Sequence, residues 1–475
     1  MAYQTAALPA FSGVRMDLCD GLLKADMSPD AVNADTRSGS LRSAGGFSRA
    51  VSAAIDPDTP LVRLFAHATA NGDAFLAVSQ DALYRYDATA ALWRTVYLFE
   101  YGVDGTKTDF LNVRIGVNDR VLISTGREQM LSLATGANAA EPFGSAQKLS
   151  NKRCRYTELY FGRLFAAGDP EAPGRLYWSK TPGGGRMIDD WRADASSENV
   201  SGGFTDVGVD EDPITGLYAL SNQLLIFKRD SLYRLLGDRP SNYRIVAVDA
   251  SFRQPKHTAC VRYADRLYFL TDGGLYFYDG QTVRRSPAFR ALGPLLAHSD
   301  LSQARAAACG DVLYFALRSR ESLPYDDLVI EYDVLRDRCM LRSGFRLADL
   351  CALHGSLYAL TADGRLVVFD GSDTYDGDPI DVRWQTPRLD LGRKDVKKTL
   401  LTLTAAGSGR MRVRAMSDGG CYETVAQFST VPDSVTEIPL RGEGRVFRLE
   451  FSSVDGGAFE LEAPVTLLFD QQRRP

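Results

Sequence analysis

Histidine is scarce in this 475-residue chain, with only His67, His257, His298 and His354. None stands in a GxSxG-like or HExxH-like context, so serine-hydrolase and zinc-hydrolase chemistry have no local signature. His354, between Leu353 and Gly355 at the start of a strand, reads as a partly buried strand-edge residue rather than a base. The seven cysteines (19, 154, 260, 309, 339, 351 and 421) include no CxxC pair. Their odd number and wide spacing argue for reduced, mostly buried thiols and against a disulfide framework. No apolar run approaches the roughly 20 residues that span a bilayer, and the N-terminus lacks a basic region followed by an apolar core. Neither membrane insertion nor secretion is therefore expected. A net charge of −5 gives no broad attraction to nucleic acid or anionic membrane. Long helices are nearly absent: residues 288–296 allow a turn or two, limited by Pro294.

Other sites of chemistry are also missing. Gly183-Gly-Gly185 follows Thr181-Pro182 without opening a helix, so it is no phosphate cradle, and Gly202-Gly203 reads the same way. The acidic stretch Asp206-Val-Gly-Val-Asp-Glu-Asp212 offers oxygen ligands but lacks the ordered spacing of a calcium loop. It reads as a solvated inter-strand loop, as does Tyr325-Asp-Asp327. The sialidase-type Ser-x-Asp-x-Gly-x-Thr-Trp turn is not found. Carboxylates that could pair for glycoside hydrolysis lie on turns throughout. Trp93, Trp178, Trp191 and Trp384 are read as core by default, with sugar stacking as the alternative. No catalytic, cofactor-binding or metal-binding residue is assigned, no cofactor is expected, and the chain is not expected to be an enzyme.

What the chain does have is a recurring phrase: an apolar strand, an acidic-glycine turn, then an aromatic strand ending in Asp-Gly. The clearest copies are Arg266-Leu-Tyr-Phe-Leu-Thr-Asp-Gly-Gly-Leu-Tyr-Phe-Tyr-Asp-Gly280 and Ser356-Leu-Tyr-Ala-Leu-Thr-Ala-Asp-Gly-Arg-Leu-Val-Val-Phe-Asp-Gly371. Looser copies start at Ala74 and Gln223. A hairpin repeated at roughly 40–50 residues is the mark of a β-propeller. Seven blade segments are found, beginning near Ala74, Arg120, Arg163, Gly216, Arg262, Ala304 and Asp349. The second and third copies are weak, and 136–160 carries little of the repeat.

The expected fold is all-β: a propeller of about seven blades over 61–375, an extended arm over 1–60, and a β-sandwich over 376–475. The arm is rich in turn formers and poor in apolar periodicity, so it is expected to be extended, with short strands, and packed along the body, a disordered tail being the alternative. The sandwich is read from strands at 380–384, 399–405, 411–415, 425–428, 436–440, 446–451 and 459–468, spaced at roughly ten residues. The tail from Gln471 is short and basic.

One ordered set of motifs narrows the reading. Gly174-Arg-Leu-Tyr-Trp-Ser179 is followed by Met187-Ile-Asp-Asp-Trp191, Phe204-Thr-Asp-Val-Gly208, Asp212-Pro-Ile-Thr-Gly216, the strand from Leu224 to Tyr233, and Gly273-Gly-Leu-Tyr-Phe-Tyr-Asp-Gly280. This succession resembles the propeller proteins of tailed-bacteriophage virions, of the tail nozzle or tail-tip family. Ala31-Val-Asn-Ala-Asp35 in the arm and Phe459-Glu-Leu-Glu462 near the end are similar to theirs. The chain is shorter than the large nozzle proteins and lacks their insertions. The resemblance implies a non-enzymatic subunit of a sixfold ring in the virion tail, assembled in the host bacterial cytoplasm. Its partners would be copies of itself, other tail or portal-adaptor proteins, and DNA passing without sequence-specific binding. Long loops at 99–118, 181–212 and 318–328 would meet neighbouring copies. The alternatives are a receptor- or glycan-binding tail protein and, on fold analogy only, a carbohydrate-active propeller.

Overall fold

Alternation along each strand decides how the chain packs. In a strand, successive side chains point to opposite faces, and here both faces meet a neighbouring blade. Val121 and Ile123 pack with Leu76 and Val78 of the preceding blade, while Leu122 between them packs with Leu164 of the next. Leu224 and Ile226 likewise face Phe165 on one side, and Leu225 and Phe227 face Leu267 and Phe269 on the other. Each such burial contributes on the order of 1.5–3 kcal/mol. No blade could cover both faces alone, so the chain curls into a wheel.

The computed structural model describes residues 3–55, 59–69, 72–104, 108–143, 152–208, 212–248, 252–320, 327–429 and 434–471. Seven four-stranded antiparallel sheets follow one another. Their strands lie within 61–98, 109–142, 156–206, 214–248, 260–285, 299–342 and 347–368, numbered here blades 1 to 7. All seven expected segments fall in separate blades. The first strand of each blade lies innermost, and the first strand of blade 7, Leu347–Leu353, lies against that of blade 1, Leu61–Thr69.

Blade 7 is closed from the other end of the chain. Its fourth strand is Ser48–Arg49 of the arm, paired with Leu366–Val368. The arm also completes the sandwich. Tyr3–Leu8 pairs with Val465–Gln471, Ala31–Val32 with Arg383–Gln385, and Leu41–Ser43 with Phe459–Leu461. The sandwich is thus not built from the last hundred residues alone: both of its sheets contain N-terminal strands. Phe11 and Trp384 meet edge to face at 4.9 Å in its core, and Trp384 Nε1 donates to the Ser12 carbonyl.

Some expected elements shift. The strand expected at 459–468 is two, Phe459–Leu461 and Val465–Gln471, interrupted around Pro464. The strand expected at 380–384 is Arg383–Gln385. The helical turns are Pro287–Arg290 and Gly293–Ala297. Among the described residues, no helix is long and apolar enough to cross a membrane. Residues 209–211 of the acidic stretch, Tyr325 and Asp326, residues 144–151, and the basic tail beyond Gln471 lie outside the described residues, as do parts of the three long loops.

Candidate functional site

The inner strands bring to the wheel axis polar residues that are far apart in the sequence. Three carboxylates do the same job there. Asp349 Oδ2 of blade 7 accepts from the Leu64 amide of blade 1 at 2.9 Å. Asp109 Oδ2 of blade 2 accepts from Thr157 N of blade 3 at 3.1 Å, and Glu158 Oε2 of blade 3 from Ala219 N of blade 4 at 3.2 Å. Each clasps the backbone of the following blade.

Cations and hydroxyls close the remaining steps. Arg63 Nε pairs with Asp349 at 2.8 Å while its other nitrogen donates to the Thr108 carbonyl, joining blades 7, 1 and 2. Arg262 of blade 5 pairs with Glu158. Thr258 Oγ1, at the entry to blade 5, donates to the Ala304 carbonyl of blade 6 at 2.7 Å. Arg305 of blade 6, 3% exposed, donates to Thr258 Oγ1, and reaches past blade 7 to the Val62 carbonyl of blade 1 at 3.1 Å. Its Nε lies 3.9 Å from Asp349. A guanidinium therefore occupies the space where blades 5, 6, 7 and 1 converge. Burial pushes its pKa down to about 10, against the pull of Asp349, so it stays charged at neutral pH.

His257 belongs to this hub. Its Nδ1 lies 2.6 Å from the Tyr218 hydroxyl, its Nε2 lies 3.5 Å from Asp109, and Tyr156 meets its ring edge-on. The Tyr218 hydroxyl also donates to the His257 carbonyl at 2.9 Å. An Asp–His–Tyr chain is a form that proton relays take. Here the tyrosine is held protonated by burial, far above its ordinary pKa, and Asp109 is already engaged by the Thr157 amide. The chemistry this arrangement supports is clasping.

The second polar cluster lies where arm, wheel and sandwich meet. Asn33, 3% exposed and in the left-handed region at φ 55°, uses its whole amide. Its Nδ2 donates to the carbonyls of Ser343 and Asp381, and its Oδ1 accepts from Ser343 N and the Tyr375 hydroxyl, all at 2.9–3.0 Å. Beside it is a cavity of about 420 Å³, lined by Asp35, Arg37, Arg42, Tyr314, Glu331 and Arg342 among others. Its charges are matched. Asp35 pairs with Arg37 at 2.9 Å and Arg42 at 3.0 Å, and the buried Glu331 with the buried Arg342 at 2.6 Å. Burial alone would raise the Asp35 pKa; the Arg37 hydrogen bonds and the two cationic charges outweigh it and hold the carboxyl at about 2.

The residues weighed from sequence fall elsewhere or into this scaffold. His67 is buried between blades 1 and 2, with Asn112 and Thr135 on its two nitrogens. His354 is an exposed turn residue 2.8 Å from Asp73, not the partly buried one expected, because its hairpin turn projects from the wheel at φ 49°. Gly183-Gly-Gly185 forms a tight turn, with Gly183 bonded back to Arg186. None of the four tryptophans is exposed. Among the described residues, the exposed aromatics are Tyr3, Tyr101, Phe161 and Phe204. All seven cysteines are free thiols. Among the described residues, no group of three or more His, Cys, Asp or Glu is placed to hold a metal ion.

Sheet order and hub define the class: a seven-bladed β-propeller fused through its arm to a β-sandwich. No protein-family model matches the chain, and no curated protein matches it in sequence. Among solved structures, the extracellular domain of a hybrid two-component system from B. thetaiotaomicron aligns at a TM-score of 0.42 and 13% identity, over 68% of this chain. The chain spans 40% of the length of that protein. BamB from Moraxella catarrhalis aligns at a TM-score of 0.38 and 14% identity, over 78% of this chain and 97% of its own. Neither is a phage tail protein, and at these scores the likeness carries no functional argument.

Proposed function

We propose that this protein is a structural subunit of a tailed-bacteriophage virion, one of several copies forming a ring in the tail, nozzle-like or adaptor-like, around the path of ejected DNA. The ordered motifs from Gly174 to Gly280, with the arm and the sandwich on either side, support the reading. The observation that carries it is the interlock: the first fifty residues supply strands to both sandwich sheets and to blade 7. That ties wheel and sandwich into one block, as suits a ring subunit that must transmit force. Carboxylates and guanidinia at the hub serve cohesion rather than turnover. Arg305 at the hub supports a proposed DNA path between copies rather than along a wheel's own axis. A weakly negative chain lets DNA slide without holding it.

Negative-stain microscopy of the purified chain, and labelling of virions with an antibody against it, test this proposal. Closed rings and density on the tail are expected; absence from virions ends the reading.

One observation favours a receptor- or glycan-binding tail protein as the second reading. Phe161 is 51% exposed and sits at φ 44° in a hairpin turn, a costly conformation for a bulky side chain. Binding on a glycan array that disappears in Phe161→Ala would favour it over the conduit role.

A further inference from the structure

The two ends of the sandwich carry opposite charge. At the end remote from the wheel, Arg388, Lys394, Arg445 and Arg448 line a groove of about 480 Å³, with Asp418 as its one acid and Met416 and Phe447 in its floor. The groove is built around a buried ammonium. Lys398 is 0% exposed, and its Nζ donates to the carbonyls of Arg393, Val396 and Arg445. It thereby pins the 393–396 loop to the 445 turn and fixes the spacing of the cations above. Of the neighbouring acids, Asp395 pairs with Arg393 and Glu443 with Lys397.

The opposite end, next to the wheel, is acidic. Asp373, Asp378, Asp381 and Asp455 are exposed there, and Gly456 packs on Pro379, joining the two segments. The basic residues of that region are already taken. Arg49 and Arg365 pair with Asp376, and Arg37 and Arg42 with Asp35. One strand, Phe447–Ser453, runs from the basic end to the acidic end. Val382 pairs with Ser453 and Leu389 with Phe447. Six steps of about 3.3 Å put the two ends about 20 Å apart, well beyond a Debye length of ~8 Å at physiological salt. Within one copy they cannot neutralise each other.

We infer that the basic groove of one copy receives the acidic 373–381 segment of the next copy. The match is heterologous and head to tail, which is the interface type that generates rings. A second copy fits better than a nucleic acid. The complementary acids lie on this same chain, at the other end of the same strand, whereas the net charge of −5 gives the rest of the surface no broad attraction for a polyanion. The inference rests on the ring reading and names the contact that would close the ring.

Sedimentation of the purified full-length chain at low and at high salt tests it, using three variants: Lys394→Glu/Arg445→Glu, Asp378→Lys/Asp381→Lys, and all four together. All the altered residues are exposed, and circular dichroism checks that each variant folds. Each two-site reversal is expected to raise the concentration needed for assembly at least tenfold, equivalent to about 1.4 kcal/mol. The four-site variant is expected to recover most of that loss, and salt to weaken the wild type. Rings that form equally well in Lys394→Glu/Arg445→Glu would overturn this contact while leaving the ring reading intact. A wild-type chain that stays monomeric at every concentration would overturn both. A duplex DNA oligonucleotide that binds the groove without disturbing assembly would also overturn it, by assigning the groove to nucleic acid.

Discussion

Replacing Asn33 should loosen the whole molecule, because its one amide ties four segments together. The side chain makes four hydrogen bonds, three of them buried, to blade 6 at Ser343, to the linker at Tyr375, and to the sandwich entry at Asp381. A net value of about 1 kcal/mol per bond gives about 4 kcal/mol for Asn33→Ala. The backbone adds roughly 1 kcal/mol, since alanine tolerates the left-handed region less well than asparagine. Asn33→Gly should recover that backbone part and nothing more. Asn33→Asp keeps the acceptor but turns the two donors into an oxygen facing two carbonyls, so it should be no better than alanine. Urea unfolding followed by circular dichroism and tryptophan emission measures the series. The wild type should unfold in one transition, and the alanine variant earlier, with wheel and sandwich separating. An alanine variant within 1 kcal/mol of wild type, or an aspartate variant as stable as wild type, would refute the keystone role.

Three further outcomes follow from the same contacts. The Asp35 carboxyl is held at about 2 against an ordinary 3.8, so it contributes about 2 kcal/mol above pH 4 that is lost as pH falls towards 2. The stability gap between wild type and Asp35→Asn should therefore be constant above pH 4.5 and shrink below it; a gap that widens on acidification would contradict the assignment. Cys19 and Cys421 are exposed whereas Cys154 and Cys339 are buried, their thiols pushed up by that burial. Under a short pulse of a thiol reagent, mass spectrometry should find the first two labelled and the last two protected until unfolding. A chain beginning at residue 51 leaves blade 7 and both sandwich sheets short of strands, exposing unpaired edges. It should aggregate, and adding the arm as a separate polypeptide should restore solubility.

The wheel was legible in the sequence because its blades repeat a local pattern. The paired strands around Arg266 and Ser356 each fit in about fifteen residues, and every expected segment found a blade. The closing strand of blade 7 was not legible: Ser48–Arg49 is two residues long and has no periodicity to read. The same holds for Ala31–Val32: short strands in the arm are legible, but not their pairing into both sandwich sheets. The hub was invisible for a different reason. Arg63, Asp109, Glu158, His257, Arg305 and Asp349 come from six blade positions, and nothing in their local sequence distinguishes them from solvated turn charges. Only the closing of the circle brings them together. Asn33 and Asp35 lie in the short stretch Ala31-Val-Asn-Ala-Asp35, whose local pattern gives no hint of their roles. An asparagine between short apolar residues, followed by an acid with arginines two and seven residues on, is the signal that could have marked the joint.

Native mass spectrometry of the full-length chain tests the central claim most directly. A ring subunit should give one dominant closed species at a fixed multiple of 52.1 kDa, persisting on dilution and dissociating with rising ionic strength. A single peak at the mass of one chain, at every concentration and salt, would contradict it.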